Sequence, residues 1–178
     1  IYLGYTYVPS GDGKDVVISE ISNLTNGTLT VKNPDKGSLT VKKIDGQTKA
    51  LLGGATFELY YQPFTVITGT YEVRDINNQT GEPDLAADNW TQVGSAVTTA
   101  TQDTQEGAIK GTYTWKYLDP GVYYIVEKDA PDGYDKAAEG KFAVVTGNMG
   151  ITGITVQSGQ PISSGTTEVN VEFVNISK

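Results

Sequence analysis

The feature that most constrains this chain is a two-residue alternation of apolar side chains that repeatedly carries a polar residue on its apolar phase. In Ser38-Leu39-Thr40-Val41-Lys42-Lys43-Ile44-Asp45, an extended strand puts Leu39, Val41 and Lys43 on one face and Thr40, Lys42 and Ile44 on the other. Near the end, Val169, Val171, Phe173 and Asn175 share a face, so Asn175 is on the apolar phase as well. In Val122-Tyr123-Tyr124-Ile125-Val126-Glu127-Lys128 both faces are apolar, which places Glu127 among hydrophobes in a strand buried on both sides. For Lys43 alone, two simpler readings stand beside the inward one: the strand ends before it, or its stem lies on the core and its ammonium reaches water.

Burying an amine, a carboxyl and an amide separately is costly, because each loses hydration and must find a partner. A single pocket holding Lys43, Glu127 and Asn175 removes most of that cost. Desolvation there lowers the pKa of a lysine and raises that of a glutamate, making the neutral amine and the neutral acid accessible. A neutral Lys43 is a nucleophile. A protonated Glu127 is expected to donate to the Asn175 carbonyl, stabilise the charge that develops on attack and shuttle a proton to the leaving group. Ammonia leaves and a Lys-Asn isopeptide bond remains, with proximity supplying the reactivity that an unactivated amide lacks.

These residues carry a resemblance. Gly37 to Asp45, followed by Leu52-Gly53-Gly54-Ala55-Thr56-Phe57-Glu58-Leu59, resembles the opening of a Cna-B type domain, the B-repeat of Gram-positive collagen adhesins and pilins. Leu118-Asp119-Pro120-Gly121-Val122-Tyr123-Tyr124-Ile125-Val126-Glu127-Lys128-Asp129-Ala130-Pro131-Asp132-Gly133-Tyr134 is similar to the family's glutamate motif, and Val171-Glu172-Phe173-Val174-Asn175 to its closing strand. The resemblance covers residues 37–178. It implies an all-β, transthyretin-like or inverse immunoglobulin-like sandwich whose first and last strands are joined by a spontaneous intramolecular bond. By motif position it implies Lys43 as amine donor, Glu127 as catalytic acid and Asn175 as acceptor, with Lys42 the rival lysine in the wrong phase.

Composition agrees with strands and sets exclusions. Tyrosine, threonine, valine and glycine are abundant, methionine occurs once, and no helix-period segment of useful length appears, so an all-β fold is expected. The chain has no cysteine and no histidine, which removes disulfides, thiolate metal sites and most hydrolase triads. No cofactor and no metal are expected. The net charge of −8 argues against nucleic acid and anionic membrane surfaces as partners. No apolar run is long enough to span a bilayer, and no signal peptide or sorting signal is visible. The expectation is a processed piece of a longer exported protein, extracellular and at the cell surface in a cell wall or pilus.

Two segments stand apart. Residues 1–36 are expected to form an N-terminal β segment, with strands at 1–8, 15–21 and 28–32 and turns at 10–13 and 23–27. Thr28 to Asn33 resembles a closing strand, with Asn33 on the apolar phase, as if it ended a preceding domain; a hairpin through Asn33-Pro34-Asp35-Lys36-Gly37 is the other reading, and Lys32 as a pilin-type lysine a third. Residues 37–178 are expected to form the sandwich, interrupted at about 61–89 by an insertion of about thirty residues. Inside it an extra hairpin is expected over 65–74 and a helical turn at 82–88, where Asp75, Asn77, Gln79 and Glu82 make only a loose calcium-loop pattern. Further strands are expected at 90–97, 108–117, 141–146, 151–157 and 166–175.

The function expected is a stalk or shaft domain of a surface adhesin or pilin, its partners being neighbouring domains or pilin subunits. The alternative is a ligand-binding adhesin module that uses the 61–89 insertion, without a cross-link, to hold a host surface protein or glycan. A glycosidase-like enzyme with paired carboxylates is a third reading, for which no second carboxylate is tied to Glu127 by motif. No turnover enzyme is expected, only one autocatalytic cross-linking event.

Overall fold

A computed structural model describes residues 20–25, 28–32, 35–66, 68–156 and 162–178. Expectations for residues 1–19, for Asn33 and for Gln157 lie outside them. The chain divides into two units, Ile1–Pro34 and Asp35–Lys178. In the first, β1 (Glu20–Thr25) pairs antiparallel with β2 (Thr28–Lys32), with Thr25 opposite Thr28. The first strand therefore runs past residue 21, into the segment where a turn over 23–27 was expected.

The second unit is an all-β sandwich, without a helix among its described residues. One sheet has the order β13 (Glu168–Asn175), β3 (Gly37–Asp45), β8 (Thr112–Leu118). The other has the order β12 (Ile162–Gly165), β10 (Lys141–Val145), β9 (Gly121–Asp129), β4 (Thr56–Pro63), β6 (Thr91–Gln92), with β7 (Val97–Thr98) also on β4. The strand expected over 90–97 is broken into the short β6 and β7 at Gly94, which takes a positive φ of 65° that a side chain disfavours.

The alternation read from the sequence is the alternation of burial. Along β3 the residues Leu39, Val41 and Lys43 are buried, and along β13 Val169, Val171, Phe173 and Asn175 are. These apolar faces meet Phe57, Leu59, Tyr123 and Ile125 of the facing sheet to make the first core. Each such side chain contributes about 1.5–3 kcal/mol of transfer free energy. The turn Asp119-Pro120-Gly121 brings β9 hard against β4, where a Cβ on Gly121 would overlap the Tyr61 ring.

The insertion differs from expectation. Thr68–Glu72, β5, does not fold back as a hairpin but pairs in parallel with β11 (Gly150–Thr155), Tyr71 opposite Ile154. The 82–88 stretch is a pair of turns, closed by Ala87 N–H to Asp84 O at 3.0 Å and Trp90 N–H to Ala87 O at 3.1 Å, because Pro83 is held in a bridge to Ile76 instead of opening a helix. Phe64, Tyr71, Val73 and Trp90 pack with Val122, Tyr124, Phe142 and Val144 as a second core. The insertion thus covers the outer face of β9 and β10, which is why β9 is apolar on both sides.

Candidate functional site

Three strands carry the polar residues into the first core. β3 delivers Lys43, β13 runs parallel to it in continuous register from Glu168 opposite Ser38 to Asn175 opposite Asp45, and β9 of the facing sheet delivers Glu127 beside Phe57. Lys43, Glu127 and Asn175 are 0%, 1% and 2% exposed. Lys43 Nζ is 2.9 Å from Glu127 Oε1, and Asn175 Nδ2 donates to the same oxygen at 3.0 Å. One carboxylate oxygen therefore lies between the amine and the amide nitrogen. The walls are apolar: the Phe57 and Phe173 rings are 5.0 Å apart, and Lys43 Nζ lies 5.7 Å from the centre of the Phe173 ring.

Burial holds the Lys43 pKa below its ordinary value; the Glu127 carboxyl, 2.9 Å from Nζ but outside hydrogen-bond geometry, opposes this by its closeness and charge, and Lys141 adds a smaller like-charge push in the same direction as burial. Lys141 Nζ sits 5.5 Å from the same Phe173 ring. Lys42 points outward, half-exposed, with its Nζ 3.9 Å from Glu172 Oε1, and has no route to Glu127.

One detail departs from the expected arrangement. The Asn175 amide presents Nδ2, not its carbonyl, to Glu127, and Oδ1 is buried with no hydrogen-bond partner among the described residues. The reason is complementarity, since a carboxylate already facing an amine accepts from N–H groups and repels a carbonyl oxygen. Sequence reasoning also missed the support around Glu127. Its Oε2 accepts the backbone N–H of Ala137 at 2.6 Å, a donor that no side-chain pattern can reveal. Two side chains of the loose calcium pattern are used internally: Asn77 Oδ1 accepts from the Gln79 and Thr80 N–H groups, and Asp75 Oδ2 accepts from Asn89 Nδ2.

The model of the SpaA prealbumin-like fold domain matches residues 37–160. The chain belongs to this family. The match to the SpaA prealbumin-like domain contains Lys43 and Glu127 and stops before Asn175, and it agrees with the resemblance to the Cna-B type domain. Among solved structures, the full-length major pilin SpaD of Corynebacterium diphtheriae is similar in fold, with a TM-score of 0.51 and 22% identity over 80% of this chain and 30% of that one. The backbone protein of group B streptococcus pilus 2b gives 0.48 and 24% over 87% of this chain and 46% of that one. BcpA, the major pilin subunit of Bacillus cereus, gives 0.46 and 18% over 85% and 33%. The chain spans less than half the length of each of these structures. A comparison with curated proteins finds no match.

Proposed function

We propose that this chain is a structural shaft or stalk segment of a Gram-positive pilin or surface adhesin, held by a spontaneous isopeptide bond between Lys43 and Asn175. The observation that carries the reading is the meeting of an amine and a primary amide on one buried carboxylate oxygen. Neutral Lys43 attacks Cγ of Asn175. Glu127 Oε1 takes a proton from Nζ and returns one to Nδ2, so the C–N bond to Nδ2 breaks, ammonia leaves and the new Nζ–Cγ amide remains. The amide orientation suits this transfer to the leaving nitrogen. The role is single-turnover, without a cofactor.

The fold gives the bond a use. β3 and β13 are parallel neighbours, so tension entering ahead of Gly37 and leaving after Asn175 crosses from strand to strand at the cross-link, and the intervening chain is shielded. Closing a loop of about 130 residues also constrains the unfolded chain, by roughly 4–5 kcal/mol on the disulfide analogy. In this reading residues 37–178 are the cross-linked domain, residues 1–36 belong to the end of a preceding one, and the partners are neighbouring domains or subunits at the cell surface. Phe64, Tyr71 and Val73 of the insertion are buried in the second core against β9 and β10, which supports a structural role for that segment over ligand capture.

The test is the intact mass of the denatured full chain. We expect a value one ammonia below that of the sequence, with the Lys43 and Asn175 peptides linked, and the full sequence mass in Glu127→Gln. A wild-type mass equal to that of the sequence overturns the cross-link.

A further inference from the structure

The segment after β9 touches β3, the chain just past β13, and β9 itself. Tyr134 Oη donates to Asp45 Oδ2 at 2.7 Å, two residues beyond Lys43 on β3. Asp135 N–H donates to Ile176 O at 3.1 Å, Lys178 N–H donates to Gly133 O at 3.0 Å, and Tyr134 bridges Ser177, so the same segment is stitched to the chain just beyond Asn175. Ala137 N–H holds Oε2 of Glu127 itself. The fold back begins at Gly133, whose φ of 83° a residue with a side chain resists.

We infer that residues 131–137 form a positioning latch for the cross-linking reaction, with Ala137 and Tyr134 as its positioning residues. This rests on the isopeptide reading of the site. Because the Ala137 N–H pins Oε2, the plane of the carboxyl is fixed with Oε1 facing both Lys43 and Asn175, so the proton taken from Nζ and returned to Nδ2 passes through that one oxygen. Without that N–H the carboxyl can rotate and carry the proton on the oxygen remote from the leaving group. The stitching to Ile176 and Lys178 further means that the latch is complete only when β13 has docked, so Glu127 is oriented when the acceptor amide is in place. Lys43 Nζ faces Glu127 at 2.9 Å, Lys141 Nζ lies 5.5 Å from the Phe173 ring that walls the site, and Asp45 carries the charge at the Tyr134 end.

The experiment follows the full chain made in a cell-free translation pulse, denatured at intervals and at several pH values, with loss of ammonia read from intact mass. Ala137→Pro removes the N–H and Ala137→Ser keeps it. We expect cross-linking to be slower by about tenfold or more in Ala137→Pro, the middle of its pH profile to move, and Ala137→Ser to match wild type. Tyr134→Phe, which loses only the phenol bond to Asp45, is expected to slow the reaction several-fold, and it decides alone if the proline variant does not fold. A wild-type rate and pH profile in a folded Ala137→Pro, or a wild-type rate in Tyr134→Phe, overturns the latch while leaving the cross-link intact. Absence of ammonia loss in wild type overturns the isopeptide reading itself.

Discussion

A buried amine beside a carboxylate and an amide has two ways to lower its cost, a charge pair or a covalent bond, and Lys43 is placed for either. Its neighbour two residues on shows the opposite electrostatics. Tyr134 Oη, then the Thr48 and Gln47 N–H groups, hold the Asp45 carboxylate and bring its pKa down to about 2. A carboxyl that binds its proton less tightly folded than unfolded contributes stability in full above its ordinary value of about 3.9, and that contribution is lost as pH falls. The loss runs from there down through about 2. Denaturant midpoints measured across this acid range should fall with pH in wild type and fall less in Tyr134→Phe, where the largest cause of the shift is gone. Equal pH slopes in the two proteins would remove Tyr134 as the cause.

At the scale of elements the insertion is a cover with its own anchor. Gln62, fully buried at the end of β4, accepts the Arg74 N–H at 2.8 Å and the Tyr71 hydroxyl at 2.8 Å on Oε1 and donates to Arg74 O at 3.0 Å. Trp90, just past the insertion, closes its far end: its Nε1 donates to Arg74 O at 3.2 Å, and its ring lies 6.5 Å from Tyr124 and 6.4 Å from Phe142. Removing that ring leaves a cavity on the outer face of β9 and β10. Trp90→Ala is therefore expected to cost about 3–5 kcal/mol, read as a lower urea midpoint. A loss below about 1 kcal/mol would show that the insertion is dispensable decoration.

For the whole molecule the decisive relation is that the first and last strands of the sandwich are parallel partners. Tension on the two ends shears β3 against β13 along their full register. Pulled singly from flanking handles, the cross-linked chain is expected to resist extension of the segment between Lys43 and Asn175, whereas Lys43→Ala should unfold and release it. Equal contour-length gains in the two proteins would mean that the load does not pass through Lys43.

Much of this was legible one strand at a time. Side chains alternate with a period of two whatever the sheet does, so the buried phase of Lys43, Glu127 and Asn175 followed from their neighbours, and the two apolar faces of β9 announced a strand covered on both sides. What covers β9 was not legible. Phe64, Tyr71, Val73 and Trp90 are a short apolar set without strict period, and whether Thr68–Glu72 turns back on itself or reaches β11 depends on a partner some eighty residues away, a choice that local sequence does not encode. The orientation of the Asn175 amide and the Ala137 N–H on Glu127 were likewise decided only by the tertiary structure. The sequence by itself determined which phase of its strand each side chain occupies, because alternation is local to the chain; the tertiary structure decided that Lys43 is buried instead of reaching water and which atoms the three residues meet, because backbone donors acquire meaning only from where the fold brings them.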